Sequence, residues 1–557
     1  MQYRVFNQKL GKVLATVNSL DTVLVCLLCY FFFTSRKAVA DPPPLPPKFI
    51  PQTSLSPEDI PDTIAISRFE IIGNRVIPQP ELDRVLNPYL FRPISFTELL
   101  EVQQAITQLY VDRGYFTSGA FIPPQTINHR TIRVQIIEGT IGEIKVLGLE
   151  KLPPEYIRSR IAIASQAPLN QNKLLEALQK LQLNPLIEHI SAELSQGIKP
   201  GESFLKLKIK EADSFDLTFN TDNDLTTSIG SIRGRVSIDE RNLLGFGDSF
   251  RVGYARSEGS ESLERIEYIA PLGARGTSVR LSHSRSDNKI IIDPFPVLDL
   301  ESKNRGYGIT LIQDAIDRPT QNLLFAFGFT HQNSKFSLMN LGFPDLARGL
   351  DDRGRSITST LHLIQEYNSR SKDRVFSLAS QIAIGIDALD STINNDDLPD
   401  SKYLIWRGQT RYIKALSAKT NLSLGGTIQF ADRPLFSNEQ FIAGGVQSVR
   451  GYSRDIIRGD NGFSFSAELG NTVVQVPKWD LRVEVIPFFD FARIWNSDDF
   501  PIQTNTLASV GIATQISIDD HFNFSVGIGI PLIDDKLPEK KSLQDNGIYF
   551  SLSVKPF

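Results

Sequence analysis

The sequence predicts a β-dominated protein: a large antiparallel transmembrane β-barrel preceded by two small α+β domains. Three observations carry this. From Phe215 to the end the chain alternates apolar and polar residues with period two, as Phe215, Leu217, Phe219 and Phe524, Val526, Ile528 illustrate. Ahead of it lies an internal repeat at an offset of about 75 residues. A hydrophobic content of 41% and a mean hydropathy of −0.13 exclude a bundle of membrane helices, which needs repeated apolar runs of about 20 residues. They leave room for a membrane barrel, whose strands average to an ordinary hydropathy. At 557 residues the chain holds several domains.

The N-terminus reads as a secretory signal peptide over residues 1–40. Arg4, Lys9 and Lys12 precede an apolar run from Thr22 to Phe33, and Ala38-Val39-Ala40 is a small-residue cleavage pattern. Both cysteines, Cys26 and Cys29, fall inside it, so the exported chain is expected to carry no disulfide, thiolate metal site or cysteine nucleophile. Residues 41–63 form a proline-rich linker, with prolines at 42, 43, 44, 46, 47, 51, 57 and 61, a composition that favours extended, solvated chain.

The repeat spans 64–139 and 140–212. Phe69-Glu70-Ile71-Ile72-Gly73 has its counterpart in Ile144-Lys145-Val146-Leu147-Gly148. A proline follows each glycine (Pro78, Pro153) and opens a short helix carrying Leu82 and Leu86, or Ile157 and Ile161. A longer helix follows, and each unit closes on an alternating strand, Ile132, Val134, Ile136 or Leu205, Leu207, Ile209. Strand, two helices and closing strands make a small α+β domain with its helices on one sheet face. Such a sheet leaves an edge that can pair with an extended peptide through main-chain hydrogen bonds; the alternative is a pair of structural spacers.

Residues 213–557 hold roughly sixteen alternating segments. Short turns such as 242–248 alternate with long polar stretches such as 334–353 and 387–401, the asymmetry of a barrel with periplasmic turns and external loops. Segments of about 9 to 11 residues suit a tilted crossing. A soluble propeller or sandwich is the competing reading, against which no four-strand period with a recurring motif is found.

Signals for chemistry are sparse. The net charge of −4 and pI near 6.0 give no nucleic-acid signature. The six histidines are scattered without metal-ligand spacing, and neither a phosphate-binding loop nor a nucleophile elbow occurs. No catalytic residue, metal or cofactor is predicted.

The chain is organised around Gly444-Gly445-Val446-Gln447-Ser448-Val449-Arg450-Gly451-Tyr452. Its glycines permit turns that other residues resist, and Arg450 lies between apolar and aromatic neighbours. Downstream, Asp490 interrupts the apolar run Phe488-Phe489-Asp490-Phe491. If Phe489 and Phe491 face lipid, Asp490 points inward and needs a partner. Arg450 and the nearby Arg493 are the two candidates.

Val449-Arg450-Gly451-Tyr452, Phe489-Asp490-Phe491, the two α+β repeats and the terminal Phe557, in this order, resemble the two-partner secretion transporters, the TpsB or haemolysin-activator proteins of ShlB-FhaC-HecB type, within the outer-membrane-85 superfamily. The resemblance covers the chain from 64 to 557. It implies two periplasmic POTRA domains, 64–139 and 140–212, and a sixteen-stranded outer-membrane barrel over 213–557. Val449, Arg450, Gly451 and Tyr452 would lie in loop six, folded into the lumen, with Arg450 on Asp490 of the wall. Phe557 would be the terminal signal read by the outer-membrane assembly machinery. The implied partners are outer-membrane lipid and a secreted exoprotein similar to a filamentous haemagglutinin or haemolysin, bound by the POTRA domains and exported without ATP. Two departures stand out: residues 41–61 are too short and proline-rich for a linker plus a plug helix, and Phe557 is out of step with the apolar positions 550, 552 and 554. The alternatives are a factor that inserts other barrels, a passive porin with periplasmic adaptors, and an enzyme.

Overall fold

The computed structural model describes residues 63–293, 295–394, 398–534 and 542–556. The expected signal peptide, nearly all of the linker, and Phe557 lie outside the described residues.

The first α+β unit is built from β1 (Arg68–Ile72), α1 (Gln79–Leu86), α2 (Phe96–Asp112), β2 (Gly119–Phe121) and β3 (Thr131–Ile137). The alternating segment is the central strand: β3 pairs parallel with β1 and antiparallel with β2. A central strand buries one face under the helices, and accordingly Ile132, Val134 and Ile136 sit in one core with Leu82, Val102 and Ile106. Ser95 caps α2 in a reciprocal box with Glu98. The second unit repeats the plan with β4 (Thr140–Leu147), α3 (Pro154–Ala164), α4 (Gln171–Gln182), β5 (Ile187–Gln196) and β6 (Glu202–Glu211). Here β6 is central, parallel to β4 and antiparallel to β5. Its Leu205, Leu207 and Ile209 pack on Ile157, Ile161 and Leu174.

Sixteen long strands then close into one antiparallel barrel: β7 (Phe215–Asp222), β8 (Arg233–Arg241), β9 (Ser249–Arg256), β10 (Ser260–Pro271), β11 (Thr277–Lys289), β12 (Leu300–Arg318), β13 (Gln321–Leu338), β14 (Arg355–Arg370), β15 (Arg374–Ile386), β16 (Leu404–Ala415), β17 (Thr420–Ala431), β18 (Asn461–Val476), β19 (Leu481–Trp495), β20 (Thr506–Ile518), β21 (Phe522–Pro531) and β22 (Ile548–Val554). Each pairs with its neighbour in sequence, and β22 closes on β7 through four residue pairs. A closed sheet leaves no unpaired edge in lipid. The soluble alternatives, propeller and sandwich, fall with that closure.

Two sequence readings need correction. The strands are not uniformly 9 to 11 residues but run from 7 in β22 to 19 in β12, because several continue past the lipid band as paired ribbons. For the same reason Ser334–Leu338, read as the start of a polar loop, still belongs to β13.

Across the lipid band the outward positions are largely apolar and the inward ones largely small or polar. On β11 to β13, Leu281, Ile309 and Phe329 share an outward row, while Ser282, Gly308 and Thr330 share the inward row next to it. Outward Trp406, Phe430 and Trp495 form a chain of ring contacts at 5.9 Å steps, the aromatic girdle of a membrane interface. The short-turn rim carries the α+β units. Lys180 of α4 pairs with Asp317 at 2.6 Å and Glu176 with Arg318 at 3.5 Å, at the turn between β12 and β13.

Ile106 is fully buried on α2. Ile106→Ala is expected to remove about 2–5 kcal/mol from the first unit. Calorimetry of the full chain in detergent should show the low-temperature transition shifted down, with the unboiled-gel mobility of the barrel unchanged; an unshifted transition contradicts this core assignment.

Candidate functional site

The loop between β17 and β18, residues 432–460, enters the lumen and packs on the inner wall. A short hairpin, Phe441–Ala443 against Ile457–Gly459, forms its base. The tip is bent by Gly444, Gly445 and Gly451, with φ of 112°, 82° and 99°, conformations that side chains other than glycine resist. Ser448 Oγ receives the Gly444 N–H at 2.8 Å and holds the turn.

Alternation decides what the wall offers. In β19, Phe489 and Asp490 point to opposite sides: Phe489 is 39% exposed and Asp490 0%. Asp490 thus faces the lumen beside Ser466 of β18. Arg493, three residues on, has the opposite parity and is exposed, so it points away from Asp490. The Arg450 guanidinium reaches the carboxylate in a bidentate pair, Nε to Oδ2 at 2.7 Å and Nη2 to Oδ1 at 2.8 Å. The Arg450 backbone N–H also donates to Oδ2 at 3.1 Å, and Ser466 Oγ donates to Oδ1 at 2.7 Å. Arg450 Nη1 donates to Glu468 at 2.7 Å, and its Cζ sits 3.6 Å above the Phe488 ring. With side chains only 12% and 1% exposed, both charges are dry and matched.

The other motif residues are equally committed. Val449 and Tyr452 are 0% exposed and share a cluster with Ala492, Ile494 and Leu507 of the wall. The Tyr452 hydroxyl makes 2.8 Å contacts with the carbonyls of Ala508 and Ile533. Gly451 N–H donates to the Tyr549 hydroxyl at 2.6 Å, and that hydroxyl donates to the Tyr452 carbonyl at 2.6 Å. Close approach is possible because glycines line the wall: Phe488, Gly511 and Gly529 lie in one register row across β19, β20 and β21. A Cβ on Gly529 would meet Gly451 N at 2.4 Å, and one on Gly511 would meet the Phe488 ring at 2.3 Å.

Beyond the motif the loop reaches the junction of the first and last strands. Arg454 Nη1 donates to the Asp224 carbonyl at 2.6 Å, and Arg454 N–H to Gln544 at 2.8 Å; Ser453 donates to Asp545. Gln544 in turn donates to the Asn223 carbonyl at 2.6 Å. One loop therefore ties β18, β19 and β20 to the β22–β7 junction. Sequence reasoning missed Tyr549, Gln544, Asp224 and Arg454. The available signal was the pair of glycines, Gly511 and Gly529, inside strand patterns, where glycine marks close approach of another backbone. Among the described residues no group of three His, Cys, Asp or Glu side chains is placed to hold a metal.

Residues 201–516 match the family described as haemolysin secretion/activation protein ShlB/FhaC/HecB, and residues 64–139 match the ShlB-type POTRA domain. The heme/hemopexin transporter protein HuxB of Haemophilus influenzae is 21% identical over 82% of this chain and 81% of its own. The outer membrane transporter CdiB of Escherichia coli is 25% identical over 87% and 81%. The solved structure of CdiB from Escherichia coli superposes with a TM-score of 0.69 over 90% of this chain and 92% of that one, at 20% identity. BamA from Haemophilus ducreyi lacking POTRA domains 1–3 superposes at 0.53, with 17% identity, over 88% of this chain and 100% of that one.

Gly529→Val is expected to push Gly451 off the wall without opening the barrel. Trypsin added from the external side of intact cells should then cut at Arg450 or Arg454, sites that are protected in the parent chain. Continued protection would mean that the glycine row does not seat the loop.

Proposed function

From its membership of the haemolysin secretion/activation family of outer-membrane transporters, we propose that this chain exports one large, β-rich exoprotein by two-partner secretion, without ATP. The observation that carries the reading is a sixteen-stranded barrel whose lumen holds loop six on Arg450 and Asp490, with two α+β units at its short-turn rim. Residues 1–40 serve as signal peptide, 41–63 as linker, 64–139 and 140–212 as the two POTRA domains, and 213–557 as the barrel. Phe557 acts as the assembly signal.

On this reading the unfolded client pairs first with an open sheet edge. β5 is the long edge of the second unit at ten residues, paired only with β6, and it supports main-chain recognition of a client whose side chains vary. The client then threads past loop six and folds outside. A folded product cannot slide back, so folding supplies direction in a compartment without nucleotide. Arg450 acts as a brace: the pair with Asp490 holds the loop at one wall.

The second reading is a factor that inserts other barrels into the membrane. Deleting the gene separates the two. Export of one client predicts loss of a single large protein from the medium or cell surface. An insertion factor predicts a fall in many outer-membrane proteins together. If no exoprotein is lost, the secretion reading fails. Arg450→Ala is expected to leave the barrel inserted and heat-modifiable while lowering secretion of that client at least about tenfold, the scale of a lost buried charge contact.

A further inference from the structure

The outward face of β11, β12 and β13 carries a second feature unrelated to the lumen. Read toward the long-loop rim, each strand passes from apolar to aromatic or histidine to basic: Leu281, His283, Arg285 on β11; Ile309, Tyr307, Arg305, Lys303 on β12; Phe329, His331, Asn333, Lys335 on β13. His283 and Tyr307 stack at 4.6 Å, with their planes 30° apart. The apolar stretch below fixes the lipid band and the stacked rings its outer boundary. The basic residues therefore stand at the level of the outer-leaflet headgroups.

Their arrangement opposes itself. Arg285 lies directly across from Arg305, and Lys303 directly across from Lys335. Like charges directly opposite on one sheet face are destabilising unless something lies between them. Arg285 pairs with Asp287 at 2.7 Å and Lys303 with Glu301 at 2.8 Å. Arg305 and Lys335 are both exposed, and neither has an ion pair among the described residues. Beside them opens a polar cleft of about 570 Å³ between this face and the external loops, lined by His331, Asn333, Asp352, Arg353 and Asp390 among others. Asn333 sits in register with Arg305, so cleft and basic strip are contiguous.

We propose that this face binds the headgroup of an anionic glycolipid of the outer leaflet. Phosphate or sugar-acid oxygens are held between Arg305, Lys303 and Lys335, where they neutralise the opposed cations. Sugar hydroxyls enter the cleft, where Asp352 and Asp390 accept their hydrogen bonds and Arg353 donates. The acyl chains lie down the strands over Ile309 and Phe329. A free soluble anion would use the cations but not that apolar run, and an ordinary phospholipid would leave the cleft unused.

The test is native mass spectrometry of the full chain, purified in uncharged detergent and offered diphosphorylated lipid A. The parent chain and Arg305→Lys are expected to retain one lipid A. The Arg305→Ala/Lys335→Ala variant is expected to retain about tenfold less, the scale of two charge-assisted bonds, while still running as a folded barrel on unboiled gels. Equal retention by the double variant overturns the proposal. Displacement of the lipid by inorganic phosphate alone overturns it in favour of a soluble-anion site. Equal retention of phosphatidylglycerol overturns it in favour of a general acidic surface.

Discussion

An ion pair inside a membrane barrel is the constraint on which the rest of this structure depends. Asp490 is carried to the lumen by strand alternation and loses its water there. An uncompensated charge in that position costs about 3–5 kcal/mol. Arg450 answers it with two parallel hydrogen bonds and spends its remaining donor capacity on Glu468 and Ser466. Satisfying both charges brings a loop of nearly thirty residues into the lumen and fixes where it can lie. The glycine row of β20 and β21, the Phe488 ring under the guanidinium and the Tyr549 hydroxyl beneath Gly451 are all shaped around that placement.

The same placement joins distant parts of the chain. Through Arg450 the loop holds β18 and β19; through Tyr452 it holds β20; through Arg454, Ser453 and Gln544 it reaches the junction of β22 and β7. That junction has only four residue pairs, fewer than any other neighbouring pair of long barrel strands. The loop thus crosses the inner side of the wall at its shortest seam. Its contacts join the buried ion pair of the lumen to the seam that closes the barrel.

Much of the fold was legible because it rests on periodicity. Alternation of the Phe215-Leu217-Phe219 kind gives both the strand and its outward face, and the recurrence of Phe69–Gly73 as Ile144–Gly148 gives two copies of one α+β plan. Strand lengths were not legible. Polar residues such as Ser334 and Lys335 read as loop, since hydropathy does not register backbone pairing above the lipid. Asp490 stood out as a lone charge in an apolar strand, and its parity relative to Arg493 was readable in principle. Tyr549 and Asp224 were not: they lie 98 and 230 residues from their partners Gly451 and Arg454, and nothing local in their segments marks them. Gly529 offered only a weak signal, a gap in a strand whose occupant is another part of the chain.

The central claim is that Arg450 and Asp490 act as one unit during transport. A double-mutant cycle on the secretion rate of the client tests it most directly, with Arg450→Ala, Asp490→Ala and the pair compared at equal levels of inserted barrel. The predicted result is that the double variant secretes no worse than the poorer single variant, because either change alone already breaks the contact that the other would remove. If the two losses multiply instead, the residues act independently, and the brace between loop and wall is not what secretion depends on.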